Sequence, residues 1–126
     1  MLSRFFFFIA ALLAGLSVAM GAYSAHSDVF DEVQLLWVDK GVRYQMYHAL
    51  AMLITSLAMQ NKRKTYLLLI FANLCFLSGI LLFSGSLYVM AISSLDAGYI
   101  TPTGGILFLA GWLLLAIGGP GAASKR

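Results

Sequence analysis

The sequence predicts an all-α integral membrane protein: a four-transmembrane-helix bundle with a short amphipathic interfacial helix between helices 1 and 2. Three observations carry this. The 126 residues are 61% hydrophobic and 10% charged, and the mean hydropathy is +0.89, a composition of membrane chains. Four apolar runs, roughly 5–23, 42–59, 65–92 and 100–117, are long enough, or nearly so, to cross about 30 Å of hydrocarbon at about 1.5 Å per residue. The basic residues stand at the ends of these runs, where they set topology rather than form a surface for acidic partners. Nucleic acid is therefore not an expected partner, and residues 1–126 read as one transmembrane domain.

The first run follows Arg4 and begins FFFFIAALLAGL. A signal peptide is the competing reading, with small residues around Ala22, Ser24 and Ala25 suited to a peptidase. The run continues to Tyr23, past the roughly 7 to 15 residues of a signal-peptide core, so a retained helix is expected. Ala11, Gly15 and Ala19 repeat every fourth residue, a pattern that lets a neighbouring helix approach closely; this face is expected inside the bundle.

Between the first and second runs, Val29, Phe30, Val33, Leu36 and Trp37 recur as one helical stripe. Asp28 is the expected N-cap, Asp31 and Glu32 favour the positive end, Lys40 the negative end, and Gly41 the stop. The stripe fits an amphipathic helix at 28–40 lying on the outer membrane surface with Trp37 as its anchor. It equally fits a loop helix packed on the bundle.

The second run opens with GVRYQMYHALAML, which sets Arg43, Gln45 and His48 at its head. Gln45, His48 and Met52 share one helical face, while Arg43 can reach the interface toward Asp39. The third run, long enough to tilt or project, ends before Asp96; in the fourth, Pro102 suits a first helical turn.

An even number of spans puts Arg4, Lys62, Arg63, Lys64, Lys125 and Arg126 on one side and all five acids on the other. The basic residues orient the bundle with both termini cytoplasmic. Depth then follows: Gln45, His48, Ser84, Ser86 and Thr101 fall in the outer half, with His26 at the outer end of the first helix. The inner half offers Thr55, Ser56, Asn73 and little else, so a polar through-pore is not expected. Gln45 and His48 are expected to face inward and meet Ser84, Ser86 or Thr101 in one hydrogen-bonded cluster, since a polar side chain in lipid requires a partner.

Gly21–His26 (GAYSAH), Tyr44–Ala51 (YQMYHALA), Phe83–Tyr88 (FSGSLY), Ile100–Gly105 (ITPTGG) and the pair Gly111, Trp112 together resemble the YgdD family of small bacterial inner-membrane proteins, which has relatives in animals. The resemblance touches all four runs in order and departs from the family pattern at Tyr23 and Ser24. It implies a four-helix membrane fold and no established activity.

His48 reads as interhelical glue or as a functional residue. His26 and His48 are the two histidines with which a haem or metal ion could be bound, but no matching pair on a helix supports one, and no cofactor or metal is expected. The tyrosines read as interfacial belt residues. Ser84 and Ser86 have no acid, lysine or second histidine at triad spacing. The lone Cys75 excludes an intrachain disulfide. No phosphate loop, zinc spacing or carboxylate pair is present, so an enzyme is the least expected class. Two classes remain: a structural, assembly or accessory protein acting by helix packing beside a membrane-protein partner or a second copy, and a small-ligand or lipid binding or transport protein using an outer polar cavity.

Overall fold

The computed structural model describes residues 1–61, 64–93 and 95–119. Lys62, Arg63, Lys125 and Arg126, four of the residues that orient the bundle by charge, lie outside them. The described residues form four helices: α1 (Leu2–Ala25), α2 (Glu32–Met59), α3 (Tyr66–Ser93) and α4 (Ile100–Gly118). Each packs chiefly on the next in chain order: α1 on α2, α2 on α3, α3 on α4. Three of them, α1, α3 and α4, are long and apolar enough to cross a membrane. The exception, α2, carries Asp39, Lys40, Arg43, Gln45 and His48 between its first turns and its middle.

Burial is distributed as in a membrane protein. Phe8, Leu12 and Leu16 of α1, Leu67, Phe71 and Leu81 of α3, and Ile106, Leu109 and Leu113 of α4 are all exposed, whereas Gln45, His48, Thr55, Ser56, Asn73 and Ser84 are buried. Water would favour the reverse; lipid favours this arrangement, because polar groups must find partners inside.

The helix expected at 28–40, ending at Gly41, is not a separate element. Asp31 caps α2 instead: its carboxylate accepts from the Gln34 backbone at 2.8 Å and the Gln34 side chain accepts from the Asp31 backbone at 2.9 Å, a reciprocal capping box. From there α2 runs through Gly41 without a break. A mid-helix glycine costs about 1 kcal/mol relative to alanine, and close approach explains it here: a Cβ on Gly41 would meet Tyr88 Cε1 at 2.7 Å. The expected apolar stripe also divides, with Phe30 buried and Trp37 half-buried while Val29, Val33 and Leu36 stay exposed; Val38, outside the stripe, is buried instead. Phe30 folds back beside Tyr23, ring centroids 6.1 Å apart.

The small-residue face of α1 is also placed differently from expectation. Ser3, Phe6, Ala10 and Ser17 are the buried residues of α1, while Ala11, Gly15 and Ala19 are exposed and a Cβ on Gly15 would meet nothing within 4 Å. The reason lies in α2. Small residues only permit close approach, but Gln45 requires an acceptor, and it takes the Leu13 carbonyl at 2.7 Å. This rotates the Phe6, Ala10, Leu13, Ser17 side of α1 onto α2.

Within α3, Ile80–Ser84 forms a π-helical turn, in which the Gly85 N–H donates to the Ile80 carbonyl. Such a turn inserts one residue, rotating the remainder of the helix by about 100° relative to a continuous α-helix. Against α3, helix α4 lies antiparallel on a seam of glycines facing larger residues. A Cβ on Gly104 would meet the backbone nitrogen of Phe83 at 2.5 Å, one on Gly111 the Phe76 ring at 2.7 Å, and one on Gly118 Leu68 Cβ at 3.1 Å. Gly79 receives the Phe108 ring in the same way. Gly104, Gly111 and Gly118 recur every seventh residue, the repeat that keeps one face toward an antiparallel neighbour.

Candidate functional site

The buried polar residues near the middle of α2, Gln45 and His48, belong to separate bonded groups. Gln45 is 5% exposed and joins three helices: its amide N–H donates to the Leu13 carbonyl of α1 at 2.7 Å, and its Oε1 accepts from the Tyr88 hydroxyl of α3 at 2.8 Å. Ser17 Oγ, buried on α1, has no partner. A helix serine often bonds the carbonyl four residues back, which here is Leu13, and Gln45 already occupies that oxygen.

His48, also 5% exposed, uses both ring nitrogens. Nδ1 lies 2.7 Å from the Tyr44 carbonyl, and Nε2 lies 3.1 Å from the Trp112 indole nitrogen of α4. A carbonyl only accepts and an indole N–H only donates, so this network assigns the proton to Nδ1 and a neutral ring to His48. The ring stacks on Phe108, centroids 3.5 Å apart and 7° from parallel.

The hydroxyls form a third set. Ser84 Oγ donates to the Gly41 carbonyl at 2.7 Å, tying the π-turn to α2. Ser86 Oγ bonds the Phe83 carbonyl at 2.9 Å and shares a short hydrogen bond with Thr101 Oγ1 across α3 and α4. His26 is exposed at the end of α1, where its backbone N–H donates to the Tyr23 carbonyl, and none of the other residues bonds its side chain.

The single cluster expected of Gln45, His48, Ser84, Ser86 and Thr101 is thus resolved into separate pairs, and His26 stands apart. Gln45 and His48 do face inward, but neither bonds a serine or threonine. Their partners are Tyr88, which the sequence marked only as a belt residue, and Trp112. A signal for both was present: a Tyr hydroxyl or indole N–H within an apolar run calls for a buried partner. Deeper along α2, Thr55 and Ser56 bond carbonyls of their own helix at 2.7 Å, and Asn73 reaches Ser56 Oγ at 3.4 Å.

Chemically, the arrangement orients helices. The two nitrogens of His48 are engaged within the chain, and among the described residues no three His, Cys, Asp or Glu side chains stand together as metal ligands. Among the recesses on the surface of the bundle, one of about 520 Å³ lies beside Trp37, Lys40 and Arg43 and another of about 370 Å³ beside His48, Phe108 and Trp112.

Comparison with known proteins is consistent with this membrane character. The family described as "Protein of unknown function (DUF423)" matches residues 19–105. The chain is 40% identical over 121 residues to the UPF0382 inner membrane protein YgdD of Escherichia coli, covering 94% of this chain and 91% of that protein. It is 42% identical over 116 residues to a UPF0382 membrane protein of Haemophilus influenzae, covering 87% and 89%. A UPF0382 membrane protein of Staphylococcus haemolyticus is 37% identical over 118 residues, covering 90% and 93%. No solved structure matches.

Proposed function

The chain belongs to the DUF423 family, and on that footing we propose that it is a non-enzymatic accessory protein of the inner membrane, acting by helix packing beside a larger membrane protein. In this reading α2 is the fourth span, both termini are cytoplasmic, and the segment before α2 lies outside. Gln45, His48, Thr55 and Ser56 of α2 are buried in the bundle while Asp39, Lys40 and Arg43 stay exposed near its start, which supports a span whose deeper polar groups are sheltered from lipid.

The observation that supports the reading best is the internal use of the polar groups. Gln45, His48, Ser84 and Ser86 are all bonded within the chain, so they specify helix rotation and depth rather than offer groups to a solute. The outward side chains of α1, α3 and α4 are largely apolar, and α1 also exposes the Ala11, Gly15, Ala19 face, which suits approach by another helix. The alternative of solute binding in an outer polar cavity has less support, since the same side chains would have to exchange internal bonds for the ligand. Immunopurification of the full chain in mild detergent tests the proposal: a stoichiometric membrane-protein partner is expected, and recovery of the chain alone would overturn it.

A further inference from the structure

The two recesses adjoin along α2, with Tyr44 and Tyr47 lining both, and together they offer a groove with room for one elongated ligand. Its two ends differ in chemistry. One is lined by Trp37, Asp39, Lys40 and Arg43; the other by His48, Gly105, Phe108 and Trp112. We propose that this groove holds one anionic phospholipid, with its phosphate at Lys40 and Arg43 and an acyl chain against the ring wall of Tyr44, Phe108 and Trp112.

Charge fits the polar end. Arg43 Nε faces Asp39 Oδ2 at 3.0 Å, with both side chains largely exposed, so the carboxylate in the groove is already matched by a cation. Among the described residues Lys40 has no such ion pair, and the guanidinium of Arg43 carries further N–H donors besides Nε. One cation in excess remains for a phosphate. Trp37 stands at this same end, where an indole suits the headgroup level.

Shape and polarity fit the other end. The His48 ring lies flat on Phe108 at 3.5 Å and Trp112 is held by its bond to His48, which makes a fixed wall rather than a fluid one. The ring N–H donors of His48 and Trp112 are engaged inside the chain, so the wall shows hydrocarbon a nonpolar surface. From Lys40 to His48 the helix advances about 12 Å at about 1.5 Å per residue, close to one leaflet of a roughly 30 Å core. A solute without a tail would leave the ring wall unused, whereas a phospholipid meets both the cationic end and the ring wall. Lipid binding in this groove goes beyond the accessory role and stands or falls independently of it, because it is read from lipid retention rather than from a copurifying protein.

The test uses the full chain, purified and delipidated in detergent, with native mass spectrometry and thermal unfolding as readouts. Phosphatidylglycerol and phosphatidylcholine of identical acyl chains are offered in turn, and glycerol phosphate separately. The wild type is expected to retain phosphatidylglycerol about tenfold better than phosphatidylcholine, the scale of attraction between surface cations and an anionic headgroup, and glycerol phosphate is not expected to compete. Lys40→Gln with Arg43→Gln, at exposed positions, should remove the preference while keeping the unfolding temperature. Gly105→Leu should fill the groove and lose both lipids, since a Cβ there meets only the Phe83 ring at 3.9 Å; Leu109→Trp, at a residue that also lines the ring end and is 71% exposed, is the second variant if that one unfolds. Equal retention of the two lipids by the wild type, competition by glycerol phosphate, a preference surviving the double substitution, or unchanged binding in a folded groove-filling variant would each overturn the proposal.

Discussion

The Tyr88 hydroxyl donates to Gln45 Oε1 at 2.8 Å, across the same α2–α3 contact in which Tyr88 lies against Gly41. One tyrosine therefore both satisfies the buried amide and fills the space that a glycine leaves. Tyr88→Phe keeps the ring in place and strips Gln45 of its donor. Polar contacts between membrane helices average about 0.6 kcal/mol, with maxima near 1.7, so a loss in that range is expected in thermal unfolding. Gln45→Leu should cost less than the loss of two hydrogen bonds, because the Leu13 carbonyl it frees becomes available to Ser17 Oγ. A double-mutant cycle of Tyr88→Phe with Gln45→Leu should show non-additivity of about 0.6 kcal/mol; strict additivity would deny the bond.

The glycine seam between α3 and α4 predicts a contrast between neighbours. Gly104→Ala sets its Cβ against the Phe83 backbone, where no rotamer change gives relief, and should destabilise by about 1–3 kcal/mol. Gly105→Ala meets only a ring at ordinary contact distance and should be neutral or stabilising by up to about 1 kcal/mol through helix propensity. Unfolding temperatures of the two variants in one detergent decide this, and similar values would contradict the seam.

The tautomer of His48 is open to direct observation. Nitrogen-15 spectra should show a neutral ring protonated at Nδ1, as the Tyr44 carbonyl and the Trp112 indole require. A ring protonated at Nε2 would break the Trp112 bond. His48→Leu should leave insertion intact and lower stability by about 0.6 kcal/mol, with Trp112 emission changed.

Topology is testable by single-cysteine labelling in cells after replacing Cys75. With both termini cytoplasmic, a cysteine at Lys125 should resist an impermeant external reagent and one at Val29, 72% exposed, should react. Labelling at Lys125 would make the four-span reading wrong.

A partner on α1 predicts a variant with a split outcome. Gly15→Leu has open space around it, so the fold and its unfolding temperature should hold. Copurification of a partner docked on that face should fall, and retention at the wild-type level would place the contact elsewhere.

Much of this architecture was legible in the residues. The first run is expected at 5–23 and forms Leu2–Ala25; the last is expected at 100–117 and forms Ile100–Gly118. That agreement has a physical cause: in lipid a helix bonds all its backbone within itself, so its extent follows from local composition. The need of Gln45 and His48 for buried partners was readable for the same reason.

Sequence alone determined the all-helical class, the runs and the polar residues; tertiary structure alone decided who meets whom around each helix axis. Gly41 has the composition of a helix stop, yet Tyr88 and Ser84 approaching from α3 make it a point of contact within a continuous α2. Ala11, Gly15 and Ala19 mark a face that tolerates close approach, but the Leu13 carbonyl bound by Gln45 turned another face inward. The π-turn at Ile80–Ser84 shifts everything after it by about 100°, and no periodicity announced it. Rotation and pairing depend on separations between segments distant in sequence. A polar residue states that a bond is required, and only the assembled bundle supplies the atom within reach.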